Sequence, residues 1–560
     1  MSTKPLSREI RFEKLVSVLI ALTTIFAATA ALLERVASNE AEKANRLAEE
    51  LSISATTERV SGNVIFSYDW QGAFQTWREL DLLITNAETF GDTAAAERYR
   101  ALRDRVTGLS PLLQSPYFDN SVNFPDDTRY EADLYYVEAI RLTEQFKYQA
   151  ALGNSWEETA SQFVLQLTFY AVALSLFGLS TTIHTFIRWL FVGLASLIVL
   201  FNIAWSAVLF FVPFPELPPA AITAYSQGVG LAYQGRYHEA IELYNRALSA
   251  QPAYAEALDE RGSAYFAIGN YAHAAADYEA ALAAGKYDTH VLWNLGWTYY
   301  LLGRYDDAIR INQQALALDP TLIGVRSNQA IALLAQGRTT NAIAEYDLAL
   351  AEAVRQVAEA RARGEEPPAS LWYYLDAAAV DLYSLLDELH GTQKYWTQAP
   401  PANTIGGDPG QLESTALGQI KRLKEYTVSL EFNGAAPADT RNPTAGAFSF
   451  VQEILDANGN FVEYQESTVN AYGINQIGIL FDYTGFPVGA QEVWKVYTNG
   501  YEDPALRVVG NWALEESGSG IKFITYAFSS VFVFASGEYT VDLYIDSHLV
   551  QSGTFYVEYP

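Results

Sequence analysis

The chain has 560 residues, enough for three or four domains. Its 65 acidic against 36 basic residues give a formal charge of −29, which argues against a nucleic-acid surface, because phosphate binding needs clustered Lys and Arg. Cysteine is absent, which excludes disulfides, thiolate nucleophiles and Cys-ligated metals; a 50% hydrophobic content with 36 tyrosines is too apolar for general disorder.

Residues 1–14 form a basic tail carrying Lys4, Arg8, Arg11 and Lys14. Three stretches, 15–33, 163–183 and 189–212, contain no charged residue, and about 20 such residues in a helix span the hydrocarbon core of a bilayer. They are expected to be transmembrane helices. The second and third are joined by a turn carrying only His184 and Arg188, which reads as a helical hairpin. Trp189 and the aromatic-proline run from Phe210 to Pro215 suit the two interfaces. The basic tail predicts a cytoplasmic N-terminus, so that 34–162 and everything after 212 lie outside. Cleavage after Ala30 is a rival reading, but the apolar core is long for a signal peptide.

Residues 34–162 read as a helical extracytoplasmic domain. The first apolar helix continues over 34–58, and further helices are expected near 72–90, 94–107 and 128–152, set apart by Gly-Asp, Ser-Pro and Pro-Asp-Asp signals. An acidic bundle between two membrane helices resembles the periplasmic sensing modules of bacterial receptors in layout alone. A receptor would also need a cytoplasmic output domain, which this topology does not provide.

A period of 34 residues follows. Gly235, Gly269, Gly303 and Gly337 keep this step, as do Ala240, Ala274, Ala308 and Ala342, and Ala247, Ala281, Ala315 and Ala349. Such self-similarity means stacked helix-turn-helix units, since one unit cannot bury its apolar face alone. The glycines fall where each first helix must stop and reverse, a place that favours positive φ. The alanines fall where helices cross closely. One unit reads Leu292, Leu295-Gly296, Tyr299, Ala308, Ala315-Leu316, Pro320, and another Gly228, Leu231, Ala240, Tyr244, Ala247-Leu248, Pro252. The second has Lys286 in place of a closing proline, and the fourth has Ala330 where Gly is usual.

This pattern resembles the tetratricopeptide repeat (TPR). The resemblance implies an α-solenoid over 219–390, with four repeats and a capping helix over 370–389, the second helix of the fourth repeat overrunning to about 363. It also implies a concave groove lined by the second, fifth, ninth and twelfth positions of each first helix. Carried onto this sequence, these are Tyr225 and Val229; Glu256, Asp259, Ser263 and Phe266; His290, Trp293, Trp297 and Tyr300; and Ser327, Ile331 and Leu334. Such a groove is aromatic at one end and acidic in the middle. It lacks the Lys and Arg with which family members clamp a terminal carboxylate. The expected partner is therefore a protein or peptide with apolar anchors and basic flanks. The alternative is that Trp293 and Trp297 pack on neighbouring repeats or on the capping helix.

Residues 391–424, rich in Gly, Pro, Thr and Ala, read as a linker. From 425 the period changes to two: VSLEF, AFSFVQEIL, IGILFDY, EVWKVYT, LRVVGNWAL, GIKFITYAF, EYTVDLYID and HLVQSGTFYVEY are short β-rich runs. Asn458-Gly459 marks a hairpin turn. A β-sandwich over 425–560 is predicted, and its last two runs look like the closing hairpin of bacterial Ig-like surface modules.

The six histidines, at 184, 238, 273, 290, 390 and 548, show no metal-ligand spacing. Phosphate-loop, nucleophile-elbow and dinucleotide motifs are absent. Asp456-x-Asn458-x-Asn460 lacks the Glu a calcium loop requires, and Glu365-Glu366 and Asp306-Asp307 read as helix-end and solvent-facing charges. The chain is thus expected to be a non-enzymatic, cofactor-free, multidomain α + β protein. It would join three transmembrane helices, an extracytoplasmic helical bundle, a TPR α-solenoid and a C-terminal antiparallel β-sandwich. The expected role is a membrane-anchored scaffold for protein–protein interaction on the outer side of a bacterial cytoplasmic membrane. Ligand sensing by the bundle and an accessory role in an envelope enzyme complex are the alternatives.

Overall fold

The computed structural model describes residues 4–183, 185–212, 214–392, 398–437, 443–455, 461–466, 469–471, 476–498, 500–525, 534 and 536–558. The chain forms two compact units, Met1–Ile268 and Gly269–Pro560. The expected turn at Asn458-Gly459, the Asp456 loop and His184 lie outside the described residues.

The first unit begins with α1 (Lys4–Ser67), a 64-residue helix that passes through a π-helical turn, Tyr68–Phe74, into α2 (Gln75–Thr89). α3 (Thr93–Thr107) starts at Asp92, whose side chain accepts from the Ala95 amide at 2.9 Å. A short ladder of β1 (Phe118–Asp119) and β2 (Phe124–Pro125) precedes α4 (Asp127–Glu131). A second π turn, Ala132–Tyr136, opens α5 (Val137–Thr182), and α6 (Ile187–Leu209) follows. The distal lobe packs Phe74, Trp77, Leu112, Phe118 and Tyr130 together.

The helix expected over 128–152 and the apolar stretch 163–183 are not separate elements: α5 runs through both. Within α5, Gly153 marks a close approach to α1. A Cβ there would lie 2.1 Å from the Asn45 Oδ1 of α1, so any larger residue would have to displace the Asn45 side chain. Among the described residues, three helices are long and apolar enough to cross a membrane; they contain the predicted stretch 15–33, all of 163–183 but Ile183, and 189–209 of the third, which ends three residues sooner than expected. Tyr170, Phe177, Val192 and Val199 form their common core, while Leu32, Leu190 and Leu197 face outward. The first solenoid helices, α7 (Pro219–Tyr233), α8 (Tyr237–Ala250) and α9 (Ala255–Ala267), complete this unit.

The second unit continues with α10 (Tyr271–Ala283), α11 (Thr289–Leu301), α12 (Tyr305–Leu318), α13 (Ile323–Ala335) and α14 (Thr339–Ala362). Each repeat glycine adopts the left-handed backbone the spacing required, with φ of 71° at Gly235, 76° at Gly269, 71° at Gly303 and 83° at Gly337. Bonds from Arg304 N to Tyr299 O (2.8 Å) and from Arg338 N to Leu333 O (2.9 Å) close the helix ends. Ala240, Ala274, Ala308 and Ala342 are wholly buried, as close helix crossings demand.

The second half of the linker expected over 391–424 is helical. α15 (Ala369–His390) is followed by α16 (Pro409–Asn433), which is capped by Asp408, has Pro409 in its first turn and ends at left-handed Gly434. Leu412, Ala416, Ile420, Leu423 and Val428 form its buried stripe. VSLEF therefore lies in a helix, because burial of this stripe overrides the strand propensity of its Val. α15 packs on α13, and α16 packs on both α14 and α15, so the expected capping helix is half of a fifth helix pair.

The remaining strands are β3 (Thr444–Ala445), β4 (Ser449–Leu455), β5 (Phe461–Glu466), β6 (Val469–Ala471), β7 (Gln476–Thr484), β8 (Gln491–Thr498), β9 (Tyr501–Glu502), β10 (Val508–Asn511), β11 (Ser517–Thr525), β12 (Gly537–Ile545) and β13 (His548–Glu558). One sheet runs β10-β8-β12-β13-β6 with β9 beside β8, and the other β11-β7-β4-β5 with β3 beside β7. Among the described residues the pairings are antiparallel except β13 with β6. Ile477, Ile479 and Phe481 of one sheet share a core with Trp494, Val541 and Phe555 of the other. By the two-residue alternation of strands, Val493 and Tyr544 point the opposite way, onto Val428 of α16.

Candidate functional site

In the first unit, Tyr225 and Val229 are buried on α7. Tyr225 packs on Tyr254 with ring centroids 5.1 Å apart, and the Tyr254 hydroxyl donates to Glu144 of α5 at 2.8 Å. A Cβ on Gly230 would come 2.3 Å from Val137, and Tyr233 stacks on Tyr136 at 4.7 Å. The first repeat is therefore seated on α5, and its two predicted groove residues do not face open space. Burial pushes the Tyr225 phenol well above its ordinary pKa. Asp259 is buried, while Glu256, Ser263 and Phe266 are half-buried. A cleft of about 460 Å³ beside this junction is lined by Arg129, Asp133, Gln227 and Arg236.

In the second unit, His290 is exposed, Trp293 and Trp297 are half-buried, and Tyr300 is buried. Trp293 lies against Tyr374 of α15, with centroids 4.9 Å apart, and both rings cover Gly324 at the start of α13. With its amide turned to satisfy both neighbours, Asn328 accepts from Trp293 Nε1 at 2.9 Å and donates to the Gly324 carbonyl at 3.1 Å. Ser327, Ile331 and Leu334 are buried, the last completely. These three residues are removed from solvent, and α15 packs on α13. Trp297 stacks on Tyr300 at 4.7 Å and keeps part of its surface open.

The tetratricopeptide-repeat family matches residues 225–289 and 260–323. The 34-residue units are tetratricopeptide repeats. Among solved structures, the first TPR of Spaghetti (RPAP3), bound to an HSP90 peptide, is 28% identical; the match covers 18% of this chain and 80% of that one, with a TM-score of 0.18. YrrB, a TPR protein with an unusual peptide-binding site, is 19% identical over 28% of this chain and 84% of that one, at a TM-score of 0.23. A TPR protein from Parabacteroides merdae is 13% identical over 62% and 99%, at 0.22. No curated protein sequence matches this chain.

The capping helix expected over 370–389 is α15, but the groove positions carried over from the TPR pattern include none of its side chains, because that pattern ends with the fourth repeat. The signal was present in the apolar and aromatic face of 370–389. α15 brings Tyr373, Tyr374, Asp376 and Asp381 to the TPR surface. Burial pushes the Asp376 carboxyl up to about 6 and the Asp381 carboxyl up to about 7. Behind them, α16 meets the sheet through buried charges: Lys424 Nζ donates to Asp542 at 2.7 Å, and Lys495 Nζ reaches Glu502 at 2.7 Å and Glu431 at 3.0 Å. Among the described residues no group of three or more His, Asp or Glu could hold a metal ion.

Proposed function

We propose that this chain is a membrane-anchored TPR scaffold without catalytic chemistry, displaying its repeats and an Ig-like β-sandwich on the outer side of a bacterial cytoplasmic membrane. TPR arrays are in general protein-interaction scaffolds, and the partner class here is a protein or peptide segment with apolar anchors and basic flanks. One observation carries the reading. α5 runs unbroken from an apolar stretch of membrane-spanning length to the Glu144 that holds Tyr254 of the repeats. At 1.5 Å per residue, Phe163 and Glu144 are on the order of 30 Å apart along the helix, so the lipid anchor and the first repeat share one rigid strut. The sandwich reading is supported by two sheets that share one apolar core.

Protease added to intact cells is expected to digest residues after 212 while a tag before residue 15 stays protected. A C-terminal tag cut only after permeabilisation would reverse the assigned side. The continuity of α1 and α5 from apolar stretch to distal lobe also favours a second role, sensing by that lobe. In that case a small molecule should raise the melting temperature of the full chain and alter amide exchange in the lobe.

A further inference from the structure

The end of the apolar helices that carries the N-terminus holds a cleft of about 580 Å³, a volume typical of small-ligand sites. α1 supplies Arg11 and Leu15 to its lining, and the entry to α6 supplies Phe186, Arg188 and Trp189. Two contacts join the walls. The buried Phe12 ring of α1 meets Trp189 edge-on with centroids 5.0 Å apart, and the Arg188 guanidinium carbon lies 4.2 Å from the Phe12 centroid. Stacking occupies the flat face of that guanidinium and leaves its N–H donors, which lie in the plane, for an acceptor. In a chain of charge −29 this cleft is cationic: among the described residues its lining has two arginines and no carboxylate, and Glu9 and Glu13 of α1 are not part of it. Depth and polarity together narrow the ligand. Arg188 directly precedes the apolar stretch 189–212, and Arg11 lies four residues, about 6 Å of helix, before the stretch 15–33. In a bilayer spanned by these helices both charges lie at headgroup level. The cleft also exposes apolar surface, with Leu15, Phe186 and Trp189 exposed to 44%, 86% and 46%. A free anion makes no use of that surface. A phospholipid has both parts, a phosphodiester for guanidinium groups and acyl chains for apolar side chains.

We propose that the cleft between α1 and α6 is a receptor for one anionic phospholipid, its phosphodiester held by Arg11 and Arg188 and an acyl chain lying against Leu15 and Trp189. The inference deepens the membrane-anchored reading and rests on it, since it names the lipid class that the anchor selects. Charge complementarity chooses this occupant over a zwitterionic lipid, whose own ammonium group competes for the phosphate. Arg188, braced on Phe12, presents a bidentate fork, and the exposed Arg11 supplies the second charge.

The test places the full chain in mixed detergent micelles with phosphatidylglycerol and phosphatidylcholine and reads the retained lipids by native mass spectrometry. An arginine at a lipid surface is worth about fivefold, so phosphatidylglycerol should be retained on the order of twentyfold over phosphatidylcholine. Arg11→Gln should reduce that preference about fivefold, and Arg11→Gln with Arg188→Gln should erase it. Arg188→Lys keeps the charge but loses the fork, so part of the preference should remain. Lys14→Gln removes the same charge from an exposed position of α1 outside the lining and should leave the preference unchanged. Equal retention of the two lipids would overturn the receptor. So would an equal loss in Lys14→Gln and Arg11→Gln, which would mean diffuse attraction by the basic tail. Displacement of phosphatidylglycerol by inorganic phosphate alone would make the ligand a free anion and likewise overturn the lipid receptor. None of these outcomes decides the anchor itself: resistance of the chain to alkaline extraction from membranes tests that reading and does not depend on the headgroup. Unchanged amide exchange of α6 in Arg188→Gln shows that lost preference is not lost structure, and Arg11→Gln, at an exposed position, carries the test if α6 does change.

Discussion

Lys424 and Asp542 are almost wholly removed from water, with side chains 8% and 0% exposed. Burial alone would lower the Lys424 pKa, but Asp542 and the Tyr383 phenol beside it prevail and raise it. The lysine ammonium also lies 4.7 Å from the Tyr497 ring centroid, and Tyr544 donates to Asp542 at 3.1 Å. Removing one partner strands the other charge, so Lys424→Met should cost about 3–5 kcal/mol, whereas Lys424→Met with Asp542→Leu should recover most of it. Amide exchange in β12 measures both. Asp381 gives a pH prediction of opposite origin. Its folded pKa lies above the unfolded value near 3.8, so the folded state holds the proton more tightly. That contribution to stability is fully present below about pH 4 and is lost as pH rises to about 7. Tyr300, Tyr346 and Tyr501 face the group, and Asp376 titrates in the same direction. Asp381→Asn should therefore flatten the decline in α15 protection between pH 4 and 7, leaving the smaller slope that Asp376 contributes.

Helix α16 decides how the end of the solenoid is built. As a linker, residues 409–433 would tolerate truncation of an apolar side chain at almost no cost. As a packed helix they do not: Leu423 is wholly buried, so Leu423→Ala should destabilise by about 2–5 kcal/mol. Loss of amide protection in both α15 and β8 would confirm that α16 joins the two. A change confined to α16 would restore the linker. The repeats themselves were legible beforehand, since a 34-residue period in Gly and Ala reports steric needs that are local to each turn and crossing. α16 was not, because its stripe is diluted by Gly, Thr and Ser and its β-branched residues pointed to a strand.

Across the first unit, the seating of α7 on α5 means that the opening repeat does not complete its own core. A chain beginning at residue 214 would lack Val137, Glu144 and Tyr136, the groups that contact Gly230, Tyr254 and Tyr233. Amide protection of α7 in such a chain should fall by about tenfold or more relative to the full protein, while α13 remains protected. Equal protection of α7 in both would show that the junction contributes nothing.

Period, polarity and chain-local sterics were enough to read the repeat helices, the three apolar stretches and the alternating strands, because each reports a need that recurs within one turn or one strand. The open groove was another matter. Ile331 and Leu334 occupy positions whose exposure depends on what packs across them, and α15 packs on their helix from some forty residues further along the chain. Burial at a helix face is set by partners distant in sequence, and only the tertiary fold supplies them.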